Sequence, residues 1–580
     1  MTAKNRNEML TKYFWAVTNR NIWGIIMNKM KLLLAASIMT LGSLGSMAQA
    51  DIAKDPYLEF EHAEQLPYTI ADSNAYHVDF SQSSAGAYVV KGFEGISQYD
   101  VASVGRSFIP PDTMGAVGTT QYTSFVNGGF AVYDKSTGSR SLFQSDLAFW
   151  AAAGQTGANG DSRVLFNSSA NRWVALSFGS SVSDIQIAVS NSSDALGGWT
   201  STKFTGFAGG TADYPTLAMD KNAIYIGTNN FNSGGTFSGT TLNVIPIASI
   251  FGMGPPSIAG LTQYSTPYAN GGADGGFAIQ GVNSNSASSI GHILAASLTT
   301  NDVIGYDVNF VNGVATSKSA VKYVGTADYA DNGAGRQPNA VPDAPTAGSA
   351  FTSNNRVIDT GDQRIGSSVY EVNGKIYAVY TATPVGSDFT SVHYVVVDAT
   401  TKQLISQGDI GDGVHDFYQA SLAVNANGQV LIAYNRSGAG SDGKVSILAQ
   451  AYNTDANGNL VKNGTEQLLK VSLVDDYHNG ALNGFVASGR QRWGDYSSVS
   501  LDPSDSQSFW VIGEYAREYN DAAGGHPGGT GGSRWSTWIS QVSIAAVPEP
   551  STWLMMLCGF GMVGVGMRRK RPSVRTTVSV

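Results

Sequence analysis

The stretch at residues 494–516, GDYSSVSLDPSDSQSFWVIGEYA, reads as strand, turn, strand. Alternating Ser, Val and Leu lead into DPSDSQ, and an apolar, aromatic run follows. Asp, Pro and Ser in the middle supply turn chemistry, and the β-branched and aromatic flanks fit a pleated, half-buried surface. The same reading recurs upstream. SRVLFNSSANRWVALSFG begins at Ser162, DYPTLAMDKNAIYIGTNNF at Asp213, IGSSVYEVNGKIYAVYTA at Ile365 and FYQASLAVNANGQVLIAYNRS at Phe417. PDTMGAVGTTQYTSFVNGGFAVYDKSTG, from Pro111, is a further copy.

Copies recur about every 50 residues, the size of one four-stranded propeller blade. A longer gap between Tyr214 and Ile365 has room for two more, near Gly275 and Ser317. The expectation is an all-β chain with a single large β-propeller over residues 105–546, of six to eight blades with seven favoured. A β-sandwich array would show linkers between its units, and a β-helix much shorter repeats.

The composition fits such a body. Only 14% of the 580 residues are charged, 68 are Gly, and the net charge is −9 without a basic stripe. Phosphate binding needs clustered Lys and Arg, so nucleic acid is not an expected partner. The single cysteine, Cys558, lies near the end of the chain, which leaves the body without disulfides or a thiolate nucleophile.

Both ends read as targeting segments. Lys29 and Lys31 precede an apolar stretch, and Ala48-Gln49-Ala50 before Asp51 is a small-x-small cleavage pattern. Residues 1–50 are therefore expected to be an N-terminal extension and signal peptide, and 51–104 a lead-in segment. Near the other end, Val547, Pro548, Glu549 and Pro550 precede an apolar run at 553–567, then Arg568, Arg569, Lys570 and Arg571. As a helix that run spans roughly 22 Å, short of a bilayer's hydrocarbon core of about 30 Å, and the basic cluster would hold its end on the cytoplasmic side.

Motif, apolar run and basic cluster together resemble the PEP-CTERM sorting signal of Gram-negative bacteria. The resemblance covers residues 547–580. It implies an exosortase-type membrane enzyme that reads and removes the tail, a transient stay in the inner membrane, and delivery to the outer surface or extracellular matrix. It also implies a bacterium that makes exopolysaccharide. In the body, RWGDYSSVSLDP from Arg492, with ADYPTLAMD and SRVLFNSSANRWV, is similar to secreted proteins of the sialidase-like propeller class. SSDALGGW, at residues 192–199, resembles the Asp-box turn of those propellers, with its glycine displaced and its threonine missing.

That second resemblance implies a set of funnel residues: an arginine cluster, a Tyr–Glu pair and an acid/base carboxylate. Arg163, Arg364 and Arg492, with Asp495, Tyr496 and Glu514, occupy suitable places; Arg490, Asp213 and Asp362 lie near strand starts. No spacing singles out a catalytic pair. The seven His are scattered without HExxH, and no G-x-S-x-G elbow appears. No cofactor is expected. Calcium is the one metal with plausible oxygen-rich loops, at Asp359, Gly408 and Asn453, none with a full twelve-residue binding loop. The expected function is an exported, non-catalytic binding module associated with exopolysaccharide. The alternative is a sialidase-like glycan hydrolase or lyase.

Overall fold

The computed structural model describes residues 78–79, 86–545 and 579, apart from internal breaks at 107, 269–273, 299, 301, 323–328, 331–333, 339–356, 362, 476, 478–489 and 520–532. The signal segment, including Ala48, Ala50 and Asp51, and the sorting tail lie outside the described residues. Among the described residues no helix is long and apolar enough to cross a membrane.

Each repeat unit folds as an antiparallel meander. Sheet 1 holds Gly115–Val117, Gln121–Val126, Gly129–Asp134 and Arg140–Ser145. Sheet 2 runs from Arg163–Asn167 out to Trp199–Thr205. Sheet 3 runs from Ala218–Met219 to Thr262–Pro267, with Gly210–Asp213 added to its second strand. Sheet 4 spans Phe277–Ser284 to Val314–Lys322 and sheet 5 spans Val369–Val372 to Leu404–Ile410; their first strands pair in parallel, Val282 opposite Val369, so the two are continuous. Sheet 6 runs from Asp416–Val424 to Leu460–Lys462 and Gln467–Val471. The closing sheet orders Ser498–Leu501, Ser508–Tyr519 and Ser533–Ile544, and its outer strand is Ala87–Ser97.

That last pairing joins the two ends of the body. Ala87 pairs Ile544 and Ser97 pairs Ser536 in antiparallel register. The domain boundary expected at residue 105 therefore moves upstream, because Ala87–Ser97 completes the closing sheet. The 214–365 gap also differs from expectation. It holds one further sheet start, Phe277–Ser284, while Ser317 lies in that sheet's outer strand. The rest of the gap is the connection at 247–261 and the long passage from Lys322 to Val369.

Apart from those of sheets 2 and 3, the first strands of successive sheets adjoin in chain order, and that of the closing sheet adjoins that of sheet 1. Between sheets 2 and 3 the link is made by Arg163 Nε donating to Pro215 O and by Asn167 Nδ2 on the Met219 sulfur. This succession of adjoining sheets is the arrangement of a β-propeller. Side chains also bind from sheet to sheet at the far ends of the first strands. Asn222 donates to Ser288 O, Asn373 to Ala426 O, Asn425 to Ser506 O and Ser504 to Thr119 O. All the turns after the first strands therefore lie on one face, called here the lower face. The starts of the first strands meet on the opposite, upper face.

The core lies between the sheets. Phe93, Tyr122, Tyr133, Trp510, Trp535 and Ile539 are fully buried between the closing sheet and sheet 1, where Tyr122 stacks on Trp510 with ring centres 5.5 Å apart. Phe125, Phe130, Phe149, Trp150 and Trp173 fill the next gap. Large rings suit a wedge-shaped space because each covers much area with few rotors.

Candidate axial site

The six funnel residues anticipated from sequence gather around the upper end of the axis, except that Glu514 lies beneath it. Several first strands have a residue in the left-handed backbone region just ahead of the strand or within its first half: Asp112 (φ 48°), Asp161 (φ 52°), Tyr214 (φ 52°), Ala278 (φ 50°) and Gln419 (φ 51°). Asp accepts this conformation readily, whereas Tyr, Ala and Gln are held in it at a cost of about 1–3 kcal/mol each. The bend turns the chain inward as it enters the strand.

Asp112 is the hub of one side. Its carboxylate accepts from Asp495 N at 2.9 Å and from Asn127 Nδ2 at 2.8 Å. Asn127 Oδ1 in turn accepts from Asp161 N at 2.8 Å, tying sheets 1 and 2 to the closing sheet. Burial pushes the Asp112 carboxyl up to about 7, helped by the negative Asp495 and opposed by Arg492.

The aromatic side is equally committed. Tyr496 is buried, its hydroxyl donating to Ser162 O at 3.2 Å, and the Arg163 guanidinium lies 3.3 Å from its ring centre. Tyr214 donates to Asp495 O at 3.0 Å. Burial raises both phenols above their ordinary value. Arg364 sits over Tyr214 and Phe277, with Nη1 3.8 Å from Asp495 Oδ1, and Arg492 Nη2 is 3.3 Å from Asp495 Oδ2. Arg364 and Asp495 are each 23% exposed, so they form the solvent-facing part of the cluster. Beside them lies a cavity of about 20 Å³ lined by Thr360, Thr381, Gln419 and Gly494, room for about one water.

Glu514 is fully buried on Ser508–Tyr519 under Gly494. Neither carboxyl oxygen has a hydrogen-bond partner among the described residues. Burial, then the charge of Asp112, holds this carboxyl well above its ordinary value. It makes no pair with the Tyr496 hydroxyl, which is spent on a backbone carbonyl. The hub Asp112, Tyr214 and Gln419 were not singled out as site residues. The only sequence signal of Asp112 and Tyr214 is their place just ahead of a repeat's first strand, and Gln419 lies within Asp416–Val424.

Other expected features resolve into local structure. Asp194 of the Asp-box-like stretch accepts from Leu196 N and Gln121 Nε2, and Trp199 Nε1 donates to Ala195 O, so the stretch is a hairpin turn on the lower face. Asp359 accepts from Gly361 N, Asp412 from Val414 N and His415 N, and Asp455 from Asn457 N and Asn459 N. These carboxylates each satisfy their own turn. No group of three or more His, Cys, Asp or Glu gathers for a metal among the described residues. Asp213 ends a short strand and is buried; Arg490 starts the three-residue strand Arg490–Arg492; Asp362 lies outside the described residues.

Residues 546–571 match the PEP-CTERM protein-sorting motif. This match implies export, membrane-associated sorting and processing by an exosortase. No curated protein matches the chain. Among solved structures, a protein of unknown function from Dyadobacter fermentans DSM 18053 is 11% identical, with a TM-score of 0.32, over 75% of this chain and 94% of that one. The Dos1 propeller is 10% identical with a TM-score of 0.33, covering 75% and 92%. The WD40 domain of SCAP from fission yeast is 8% identical with a TM-score of 0.29, covering 74% and 82%. These likenesses are distant, and the propeller assignment rests on the strand connectivity above.

Proposed function

We propose that this chain is an exported seven-bladed propeller that serves as a non-catalytic binding module at the cell surface or in the extracellular matrix, with an extracellular polysaccharide as its partner. Sheets 1 to 6 and the closing sheet are the seven blades. The observation that carries the non-catalytic reading is that the Tyr496 hydroxyl, Arg163 Nε and the Asp495 carboxylate are each engaged within the body, while Arg163 Nη2 and both Glu514 carboxyl oxygens have no hydrogen-bond partner among the described residues. The Tyr496 hydroxyl is bound to Ser162 O, Arg163 to Pro215 O, and the Asp495 carboxylate lies between two arginines. The cavity beside them has room for about one water.

The sialidase-like alternative draws on a separate observation, the gathering of Arg163, Arg364, Arg492, Asp495 and Tyr496 at one end of the axis. It requires the Tyr496 hydroxyl to leave Ser162 and meet a base.

The experiment is incubation of the purified protein with bacterial exopolysaccharides and with sialylated glycans, in the presence and absence of calcium. Retained polymer and released sugar are measured in the same tubes. Retention without product is expected. Released sugar would replace this reading with the hydrolase, and a calcium requirement for retention would assign the metal a place in binding.

A further inference from the structure

The closing sheet fixes where the sorting tail leaves the body. Ser533–Ile544 runs toward the lower face and ends there, beside the start of Ala87–Ser97 and the 502–507 turn. Ala545 N still donates to Gly86 O, so the chain is held to the rim up to that residue. Trp553, where the apolar run begins, is only eight positions beyond Ala545. Fully extended, that stretch reaches at most roughly 28 Å. A tail seated in a bilayer therefore keeps the lower end of the closing sheet within that distance of the lipid.

The lower face carries side chains suited to such contact. Leu196, Met253, Ile258, Val311 and Val314 are exposed there, at the tips of the outer turns of three consecutive blades. Met253 is fully exposed between Gly252 and Gly254, on a connection, 247–261, that contains no charged residue. Sheets 3 and 4 lie across the ring from the closing sheet, so their tips and the tail meet a plane at opposite rims. Exposed apolar residues of the upper face differ in their surroundings from Met253, Ile258 and Val314, whereas Leu196 lies two residues from Asp194 and in this resembles the upper-face residues. Leu147 follows Asp146, Val385 is three residues from Asp388, and Val414 is two from Asp412. Carboxylates beside them oppose approach to an anionic membrane.

We propose that the lower face is a lipid-contacting surface. Met253, Ile258 and Val314, with their neighbours, seat in the outer interfacial layer of the bilayer while the tail is held, and the axial cluster points away from it. This rests on reading residues 547–571 as a membrane-held tail. Burying a few small apolar tips is enough to orient a body that is already tethered but not to anchor it alone.

The test uses the full chain with Cys558→Ser, reconstituted in vesicles of phosphatidylethanolamine and phosphatidylglycerol. Single cysteines are introduced by Met253→Cys, Val314→Cys, Val385→Cys or Val414→Cys and carry an environment-sensitive fluorophore. Flotation with the vesicles reports on the tail; quenching by lipid-borne nitroxide reports on the face. The expected result is flotation of all four variants, with at least about twofold stronger quenching at 253 and 314 than at 385 and 414. Flotation with equal or absent quenching at all four positions would overturn the face assignment and leave the tail reading intact. Failure to float would overturn both. Adding Ile258→Glu to the variant labelled at 253 should reduce its quenching at least twofold without releasing the protein. Since 258 is exposed, folding is checked by an unchanged melting temperature.

Discussion

Tyr214 reaches across the axis to Asp495. Its hydroxyl donates to the Asp495 carbonyl at 3.0 Å although the two residues are 281 positions apart. One belongs to sheet 3 and the other leads into the closing sheet, so the bond spans the ring and joins non-adjacent blades. Tyr214 is also held left-handed and packed edge-on against Tyr496.

Tyr214→Phe removes one buried hydrogen bond and should cost about 0.5–1.5 kcal/mol; Tyr214→Ala should cost about 3–5 kcal/mol. Urea unfolding followed by tryptophan fluorescence measures both. Equal costs would mean that the ring contributes nothing beyond its hydroxyl.

Asp112 gives the fold a pH dependence of defined sign. Its carboxyl is raised from 3.8 to about 7 in the folded protein. Between about pH 4 and 7 the folded state binds more protons than the unfolded state, so this group's contribution falls as pH rises through that window and levels off above it. Asp112→Asn, which mimics the protonated carboxyl and tolerates the left-handed backbone, should flatten the stability profile between pH 5 and 8. An unchanged slope would place the titration elsewhere.

Glu514 should behave as a buried neutral acid. Glu514→Gln is expected to stabilise the protein at pH 7, on the order of a few kcal/mol, and to change little at pH 4, where the unfolded chain's carboxyl is also largely protonated. Melting temperatures at the two pH values decide it. A destabilised variant at both would mean that Glu514 is ionised and paired.

The closing strand is open to a direct test. Phe93 is fully buried against Tyr133 and Trp510, with ring centres 5.4 and 6.3 Å away. Phe93→Ala should cost about 3–5 kcal/mol. A residue in a detachable lead-in would cost under about 0.5 kcal/mol.

The repeats were legible because their turns announce themselves. NSSAN, VNGK and NANGQ carry the Asn and Gly that tight hairpins require, and the flanking strands alternate or run apolar. Long-range pairing leaves no such local mark. Nothing in AYVVKGFEGIS names Ser533–Ile544 as its partner, and so the segment read as a lead-in. The funnel arginines could be proposed from their repeat positions, but their spending on Pro215 O, Asp495 and ring faces follows from blade geometry. Glu514 looked like a partner for Tyr496, and burial under Gly494 separates their roles. The long passage before Val369 obscured the count because its length mimics an extra repeat.

The union of Ala87–Ser97 with Ser533–Ile544 makes the fold sensitive to its own completeness. Glu94 and Ser536, which bond across this seam, lie 442 positions apart. A chain delivered through an export channel from its amino end presents the outer strand early and must hold it unpaired until the last strand arrives. A copy cut short at any point before residue 533 leaves that strand an open edge, with Phe93 and Ile96 uncovered, and unpaired edges and exposed apolar side chains are what proteases and chaperones recognise. The sorting signal begins two residues beyond Ala545. Only a chain synthesised past its closing strand therefore carries the address, so that the copies marked for processing are those able to shut the ring.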